Sequence, residues 1–377
     1  MALTLGSLNR ATLSRQLLLE RQHIGVVEAV ARIGAIQAQE PASPYIALWN
    51  RVADFDPGEL DRAFADRSII KASLMRVTLH AVTAADHPLL HHAMQETLRG
   101  ARLHDRRFKA TGMSFAEAER IVELLRSYAT EPRSNAEVAA WLADELGDAA
   151  HPGIWWALRQ SASFIHARTG GPWSFGPRSA YVAAPEPTRT GDRVPALAHL
   201  VRRYLESFGP ATARDIAAYG MLYAPTVRLG LDALGDELTT LEGPGRSPFF
   251  DLAGATLPDE DVPAPPRLLP MWDSTLLAYK ERSRMIPEPY RRMVIRANGD
   301  VLPTLLVDGF VAGVWRPVPD GIEARAIHPL DAQTWDALEG EARSARALLA
   351  GREPLAYGRY ARWFPSVPAA EIRILGR

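Results

Sequence analysis

One stretch of this chain repeats another 78 residues further on: residues 134–141 (SNAEVAAW) lie over residues 212–219 (TARDIAAY). Both copies open like a helix start. Ser134-x-x-Glu137 and Thr212-x-x-Asp215 have the spacing of a capping box, in which a hydroxyl and a carboxylate satisfy each other's free backbone N–H groups. Apolar residues follow at i, i+3 spacing, Val138 with Trp141 and Ile216 with Tyr219, as one face of a short helix requires. A second helix then begins near Pro152 and near Pro225, where proline fits the first turn. Each copy closes with two strands joined by Gly/Pro turns, over 163–183 and 237–253, and an apolar helix precedes each, over 115–129 and 195–208. Three helices and a strand pair are the order of a winged helix.

The first hundred residues admit the same reading more loosely, with helices near 10–21, 26–34 and within 43–65, then strands Ile69–Met75 and Val77–Val82. Beyond 258 a Pro-rich linker leads into alternating apolar residues over 291–316, interrupted by Asn298-Gly299 and Asp308-Gly309, both favourable hairpin turns. Residues 331–350 read as a helix with Trp335, Leu338, Ala342 and Leu348 toward a core, and the tail is expected to add a strand. At 377 residues the chain exceeds what one core usually serves. The expected fold is α+β, with winged helices over 1–110, 111–190 and 191–258 and a β-rich domain over 259–377.

Composition removes much chemistry. There is no cysteine, so disulfides, thiolate metal sites and thiol nucleophiles are excluded. Catalytic carboxylate pairs, Gly-rich phosphate loops and metal motifs are not recognisable, and no metal or cofactor is expected. His91-His92 is the nearest approach to a metal signal, but adjacent helical residues point about 100° apart, which reads as a solvated helix face. No apolar run reaches about 18 residues, and Arg10 and Arg15 interrupt the N-terminal apolar stretch, so no membrane contact and a cytoplasmic place at the bacterial nucleoid are expected. The net charge of −1 conceals segregation: acidic residues crowd 231–261, basic residues 99–109, and Lys71, Lys109 and Lys280 are the only lysines among 43 basic residues. Arginine's planar fork suits phosphates. With the fold, this makes duplex DNA the leading partner.

Gln37-Ala38-Gln39 stands between an apolar helix and Glu40-Pro41. A residue before proline is pushed out of the helical region, so this segment is expected to be extended, which puts both glutamines on one side. On a continuing helix they would lie about 200° apart and could not act together. The competing reading is a polar helix end whose amides cap loose carbonyls.

Ile36-Gln37-Ala38-Gln39, Arg76-Val77-Thr78-Leu79-His80, Leu269-Pro270-Met271-Trp272-Asp273-Ser274 through Arg282 and Arg284 to Pro287, then Val307-Asp308-Gly309 and Gly313-Val314-Trp315-Arg316, taken in this order, resemble the AlkZ-type DNA glycosylases, a tandem winged-helix family. The resemblance runs over nearly the whole chain and is most specific over 269–316. It implies three winged helices and the β domain around a concave, DNA-sized channel, and a repair enzyme that removes N7-alkylated guanine and unhooks interstrand crosslinks. It further implies resistance to a DNA-alkylating natural product, and it makes Gln37 and Gln39, the Gln-x-Gln form of the family's motif, the catalytic pair.

Neutral amides suffice for such a reaction. Ordinary glycosidases need an acid for a poor leaving group and a carboxylate to assist weak water. A purine alkylated at N7 is already cationic and departs as a neutral base, leaving only the oxocarbenium sugar to steady and a water to place. Glu40 is the rival base, but in an extended segment it points away from the glutamines. Arg282, Arg284, Arg291, Arg292 and Arg296 form the richest candidate set for phosphate contacts, with Arg76 and Arg107 as further candidates. Asp273 is expected to position Arg282 or Arg284 through an ion pair. No lysine adjoins Gln37 in sequence, so a Schiff-base lyase step is not expected. The resulting expectation is a monomeric, cofactor-free, monofunctional glycosylase acting on double-stranded DNA with alkylated purines and leaving an abasic site. A winged-helix regulator and a protein-interaction scaffold are the alternatives; the first would bind DNA without base release, the second would not bind it.

Overall fold

A computed structural model describes residues 2–185 and 191–377. One order of elements occurs three times. After α1 (Leu5–Arg15), the first unit runs α2 (Val26–Ile33), β1 (Ile36–Gln37), α3 (Ser43–Trp49), α4 (Pro57–Ala65), β2 (Ile69–Ser73) and β3 (Leu79–Thr83). Past α5 (His87–Leu103) and α6 (Arg106–Lys109), the second runs α7 (Phe115–Tyr128), β4 (Arg133–Ser134), α8 (Asn135–Leu146), α9 (Pro152–Ser161), β5 (Phe164–Ala167) and β6 (Ala180–Ala183). The third runs α10 (Val194–Phe208), β7 (Ala211–Thr212), α11 (Ala213–Gly220), α12 (Ala224–Leu234), β8 (Leu238–Leu241) and β9 (Phe249–Leu252). Each unit folds its strands into an antiparallel sheet in which the two-residue first strand pairs with the last: β1-β3-β2, β4-β6-β5 and β7-β9-β8. In the second and third, Ser134 and Thr212 end that short strand and also cap the next helix through complete capping boxes with Glu137 and Asp215. The boundary expected at 190 falls within 186–190, outside the described residues.

The C-terminal region is a five-stranded antiparallel sheet, β10 (Arg267–Leu269), β11 (Thr304–Val307), β12 (Phe310–Val318), β13 (Gly321–Ala326) and β14 (Glu371–Leu375), in that spatial order, with α13 (Arg291–Val294) before β11 and α14 (Ala332–Ala350) before β14. Asp308 and Gly309, both at positive φ, form the two-residue turn between β11 and β12. Asn9 on α1 donates to the Gly309 carbonyl at 2.8 Å, and a Cβ on Gly309 would lie 2.4 Å from the Asn9 side chain, so only glycine fits. Arg10 pairs with Asp308, so the first helix clamps this turn.

The first unit's sheet is covered on both faces. Ile36, Ile69 and Ala81 face a large core shared with Leu268, Leu269, Trp315, Trp335 and Leu338 of the C-terminal region. Ile70, Ala72 and Val82, one residue out of step, face a second core with Leu197, Tyr204, Phe208 and Tyr219 of the third unit. The second unit closes a core of its own around Phe108, Ile121, Val138, Ile154, Trp155 and Phe164.

Four sequence expectations change. The first helix starts at Leu5 rather than near residue 10, because Thr4 and Ser7 form a capping box. Residues 291–303 are a helical turn and a loop with a single bridge, Ile295 to Val301, around Asn298-Gly299, rather than strands. Leu349, not Leu348, completes the buried stripe of α14, continuing the alternating 3 and 4 spacing of Trp335, Leu338, Ala342 and Ala345. Asp273 positions neither Arg282 nor Arg284; both its oxygens accept from Arg51 at 3.0 Å, and it caps Thr275. Arg51 and Asp273 are both sealed from solvent, so removing one strands the other's charge. Asp273→Ala is expected to lower stability by about 3–5 kcal/mol, read as a fall in the urea midpoint at neutral pH.

Candidate active site and nucleic-acid interface

Ile36 and Gln37 pair with Ala81 and His80 of β3, and the Ala38 N–H donates to the Leu79 carbonyl at 2.7 Å, so the segment enters the motif extended rather than helical. Gln37 is 3% exposed, whereas Gln39, past the strand end, is exposed and makes no side-chain hydrogen bond among the described residues. The Gln37 side-chain oxygen accepts from Arg76 Nη2 at 2.6 Å. A guanidinium only donates, so this contact fixes the amide with its oxygen toward Arg76 and its NH2 away.

Arg76 reaches Gln37 from a turn that the sequence reads as continuous strand. Arg76 and Val77 have φ of 53° and 56°, a left-handed conformation that a β-branched valine seldom adopts. Hydrogen bonds from the Val77 N–H to the Leu74 carbonyl and from the Thr78 N–H to the Met75 carbonyl hold it. The guanidinium also donates to the Tyr219 carbonyl at 3.3 Å, at the C-terminal end of α11, where a cation complements the helix's free carbonyls. It lies 5.2 Å from the Tyr219 ring centroid. One side chain thus ties the motif of the first unit to the third. His80 completes the arrangement: its Nδ1–H donates to the Thr78 carbonyl at 3.0 Å, which leaves Nε2 as an acceptor 3.5 Å from Arg76. Burial, then the Arg76 charge, holds the His80 pKa down at about 3, so the ring is neutral.

Arg282 stands close enough to Arg76 to act on its charge, and Arg291 stands in the same relation to Arg282. Arg282 has no ion pair or side-chain hydrogen bond among the described residues, and its Nε is sealed without a partner. Its pKa is lowered by burial and then by Arg291, and that of Arg76 by burial, with Arg282 adding to the effect. Arg282 is repelled by Arg291 and itself acts on Arg76, while Glu281 partly offsets its charge; among the described residues no carboxylate forms an ion pair with any of the three. Arg292 is exposed, and Arg296 lies 4.9 Å from the Trp363 ring. Two of the sequence's candidates are placed elsewhere. Arg284 is 4% exposed, donates to the Pro210 carbonyl at 3.0 Å and stacks 3.9 Å over Tyr279, so it is committed to the interior. Arg107, on α6, lies against the second unit, paired with Asp105 at 3.0 Å and stacked 3.7 Å over Trp156.

Glu40 is not a free base, since its carboxylate is held by Arg359 and accepts from the Tyr360 hydroxyl at 3.1 Å. The His91-His92 pair is corrected: neither residue faces solvent, both being buried with His87 on the inner side of α5 because that helix packs between α9 and α10. No group of three or more His, Asp or Glu among the described residues is arranged to hold a metal. Tyr219 was not marked by the sequence as a site residue, and no local signal could have done so, because its carbonyl meets Arg76 across 143 residues.

The sequence matches the AlkZ-like family, described as DNA glycosylase AlkZ-like, over residues 30–348. The chain belongs to the AlkZ-like DNA glycosylase family. A curated relative, the interstrand DNA cross-link repair glycosylase of Streptomyces sahachiroi, is 25% identical over 374 residues, covering 91% of this chain and 96% of the relative. The solved structure of the Streptomyces sahachiroi DNA glycosylase AlkZ superposes with a TM-score of 0.79 at 20% identity, over 94% of this chain and 99% of that one. That likeness extends the shared fold from the family-matched segment to nearly the whole of this AlkZ-like chain.

The buried histidines make this AlkZ-like protein acid-sensitive. His80, His87 and His166 are held at about 3 and His91 at about 4, chiefly by burial, against an ordinary value near 6.5. Each stays neutral when folded but takes a proton when unfolded, so stability is full above pH 6.5 and falls as the pH drops toward 4, by roughly 1.4 kcal/mol per pH unit for each such histidine. Urea midpoints at pH 7.5 and 5.5 are expected to differ accordingly, and His87→Asn to reduce the difference.

Proposed function

We propose that this chain is a monofunctional DNA glycosylase that hydrolyses the N-glycosidic bond of cationic N7-alkylguanine in duplex DNA and leaves an abasic site. The observation that carries this reading is the Gln37–Arg76 contact, set beside Arg282, which has no ion pair among the described residues. Close cations that outnumber the nearby carboxylate favour an anionic ligand, and backbone phosphates supply one. In this reading Arg76, Arg282 and Arg291 grip phosphates at the lesion, Arg292 and Arg296 extend that path, and Arg107 with Trp156 meets DNA from the second unit.

The three repeated units serve as tandem winged helices lining, with the C-terminal domain, a channel that admits the duplex as a monomer. The chemistry stays with neutral groups. Glu40 is occupied, His80 is neutral, and neither supplies the acid that a poor leaving group needs. An N7-alkylated purine needs none. Gln39, exposed and unpartnered, accepts from the attacking water and places it at the anomeric carbon; Gln37, its oxygen held by Arg76, turns its NH2 toward a sugar or phosphate oxygen. Phosphates drawn in by the arginines offset the charge of the oxocarbenium sugar. A lyase step is absent from this scheme: Lys71, on β2, pairs in register with Ala81 and therefore projects from the sheet face opposite Gln37, where it lies 4.2 Å from the Phe175 ring. The relative's printed name is that of an interstrand cross-link repair glycosylase, and this reading extends to crosslinks joined through such adducts, with resistance to a DNA-alkylating natural product as the setting we propose for the activity.

Release of free 7-methylguanine from methylated duplex DNA tests the reading. Wild type is expected to release the base, and Gln39→Ala and Gln37→Ala to lose roughly a hundredfold in rate while still folding and binding. No release by wild type from this or a bulkier N7 adduct sinks the proposal. Arg282→Ala is expected to weaken binding to damaged and undamaged duplex alike and to reduce the slope of log affinity against log salt by about 1, checked by anisotropy titrations at several salt concentrations.

A further inference from the structure

The turn between α11 and α12 leaves large apolar side chains in solvent beside the guanidinium cluster. Met221 is 55% exposed and Tyr223 is 84% exposed, and the Tyr223 side chain contacts no ring, charge or hydrogen-bond partner among the described residues. Met221 holds the left-handed C-cap of α11 at φ 53° and ψ 42°, a position where glycine or asparagine is usual. A glycine there would close the helix without strain. The sequence instead places a long thioether at the tip, with an aromatic ring two residues on.

This turn is next to the catalytic motif. Arg76 bridges the Gln37 amide and the Tyr219 carbonyl, two residues before Met221, with Arg282 close to Arg76 and Arg291 close to Arg282. An apolar tip near Arg76, and near Arg282, which has no ion pair among the described residues, matches a nucleic acid, whose phosphates take the cations and whose base faces take the apolar groups. A protein partner would need carboxylates for the same arginines as well as an apolar patch.

We infer that Met221 and Tyr223 form a lesion-facing platform, which enters the groove next to the alkylated nucleotide and packs on a neighbouring base or sugar while Gln37 and Gln39 face the anomeric carbon. The platform rests on the glycosylase reading for its lesion, but not for its contact with DNA. Its work is to hold the damaged nucleotide in register with the amides, so Met221 and Tyr223 are positioning residues. Stacking of one base on an aromatic side chain corresponds to an affinity change of roughly 5- to 150-fold.

Duplexes carrying 5-iodouracil at positions flanking a 7-methylguanine test this by photo-crosslinking with peptide mapping, alongside anisotropy and base release for wild type, Met221→Gly, Tyr223→Ala and Tyr223→Phe. Both sites are exposed, and glycine suits the Met221 backbone, so these variants should fold. The expected result is a crosslink within residues 221–223, weaker binding and slower release by Tyr223→Ala and Met221→Gly with an unchanged salt slope, and recovery in Tyr223→Phe. Wild-type binding and release in Tyr223→Ala and Met221→Gly, with crosslinks mapping only elsewhere, overturns the platform and leaves the turn to another partner. A wild type that crosslinks through the turn but releases no base removes the glycosylase reading and keeps the contact; a wild type that binds no duplex removes both.

Discussion

The first unit's three-stranded sheet must be covered on both faces, and the rest of the molecule follows from that requirement. In Ile69-Ile70-Lys71-Ala72-Ser73 every residue is buried, with Ile69 on one side and Ile70 on the other. Such a strand cannot lie at the surface of an isolated small domain. The C-terminal sheet supplies one cover and the helices of the third unit the other, so regions more than a hundred residues apart meet across it. The candidate site lies on that same sheet. Gln37 is on its short strand, Arg76 in its hairpin turn, and the carbonyl that Arg76 binds belongs to the third unit. The cover that stabilises the sheet also fixes the geometry of the amide.

The site differs from most hydrolytic centres in what surrounds its polar groups. Where a carboxylate pair would tune one acid against one base, here a histidine is buried neutral, the adjacent glutamate is bound to Arg359, and the amide oxygen is bound to Arg76. The charge that remains free is positive. In the proposed reading, such a site attracts and orients an anionic polymer without protonating a leaving group, and the proposed substrates are accordingly bases that carry their own charge.

Much of this was legible in the sequence, and the parts that were not have identifiable physical causes. The repeat at 134–141 and 212–219, its capping boxes, the Pro-led helices and the Asp308-Gly309 turn are local signals, and each appears as read. The extended course of Gln37 followed from Glu40-Pro41. What local pattern could not supply were partners distant in the chain. Asp273 was matched to the arginines nearest in sequence and instead meets Arg51, 222 residues away. Arg284 sits in the same arginine-rich stretch as Arg282, yet one is interior and the other unpartnered; composition cannot separate them, because the difference lies in which of them Pro210 and Tyr279 approach. The strained turn at Arg76 and Val77 was hidden because Met75 to Leu79 alternate like a strand, and only the backbone dihedrals reveal the break. The Gln-x-Gln spacing indicated a pair, but the sequence carried no sign that one amide would be buried and the other open.

The clamp of α1 on the Asp308-Gly309 turn, with the core that the first unit shares with the C-terminal sheet, has a consequence for how the chain is made. Residues 5–83 cannot complete their packing while they emerge from a ribosome, because Leu268, Leu269 and Trp315 have yet to be synthesised. The second unit has a core of its own within residues 103–183 and is free to close that part first, although Ile165 and Val182 of its strands wait for the core shared with the first and third units. The segment bearing Gln37 and Arg76 therefore precedes its covers in translation and completes its packing only after they are made. A chain interrupted before the five-stranded sheet would present a folded middle unit joined to an unsealed amino-terminal one, with the double-faced strand Ile69–Ser73 exposed to pair with whatever lies near.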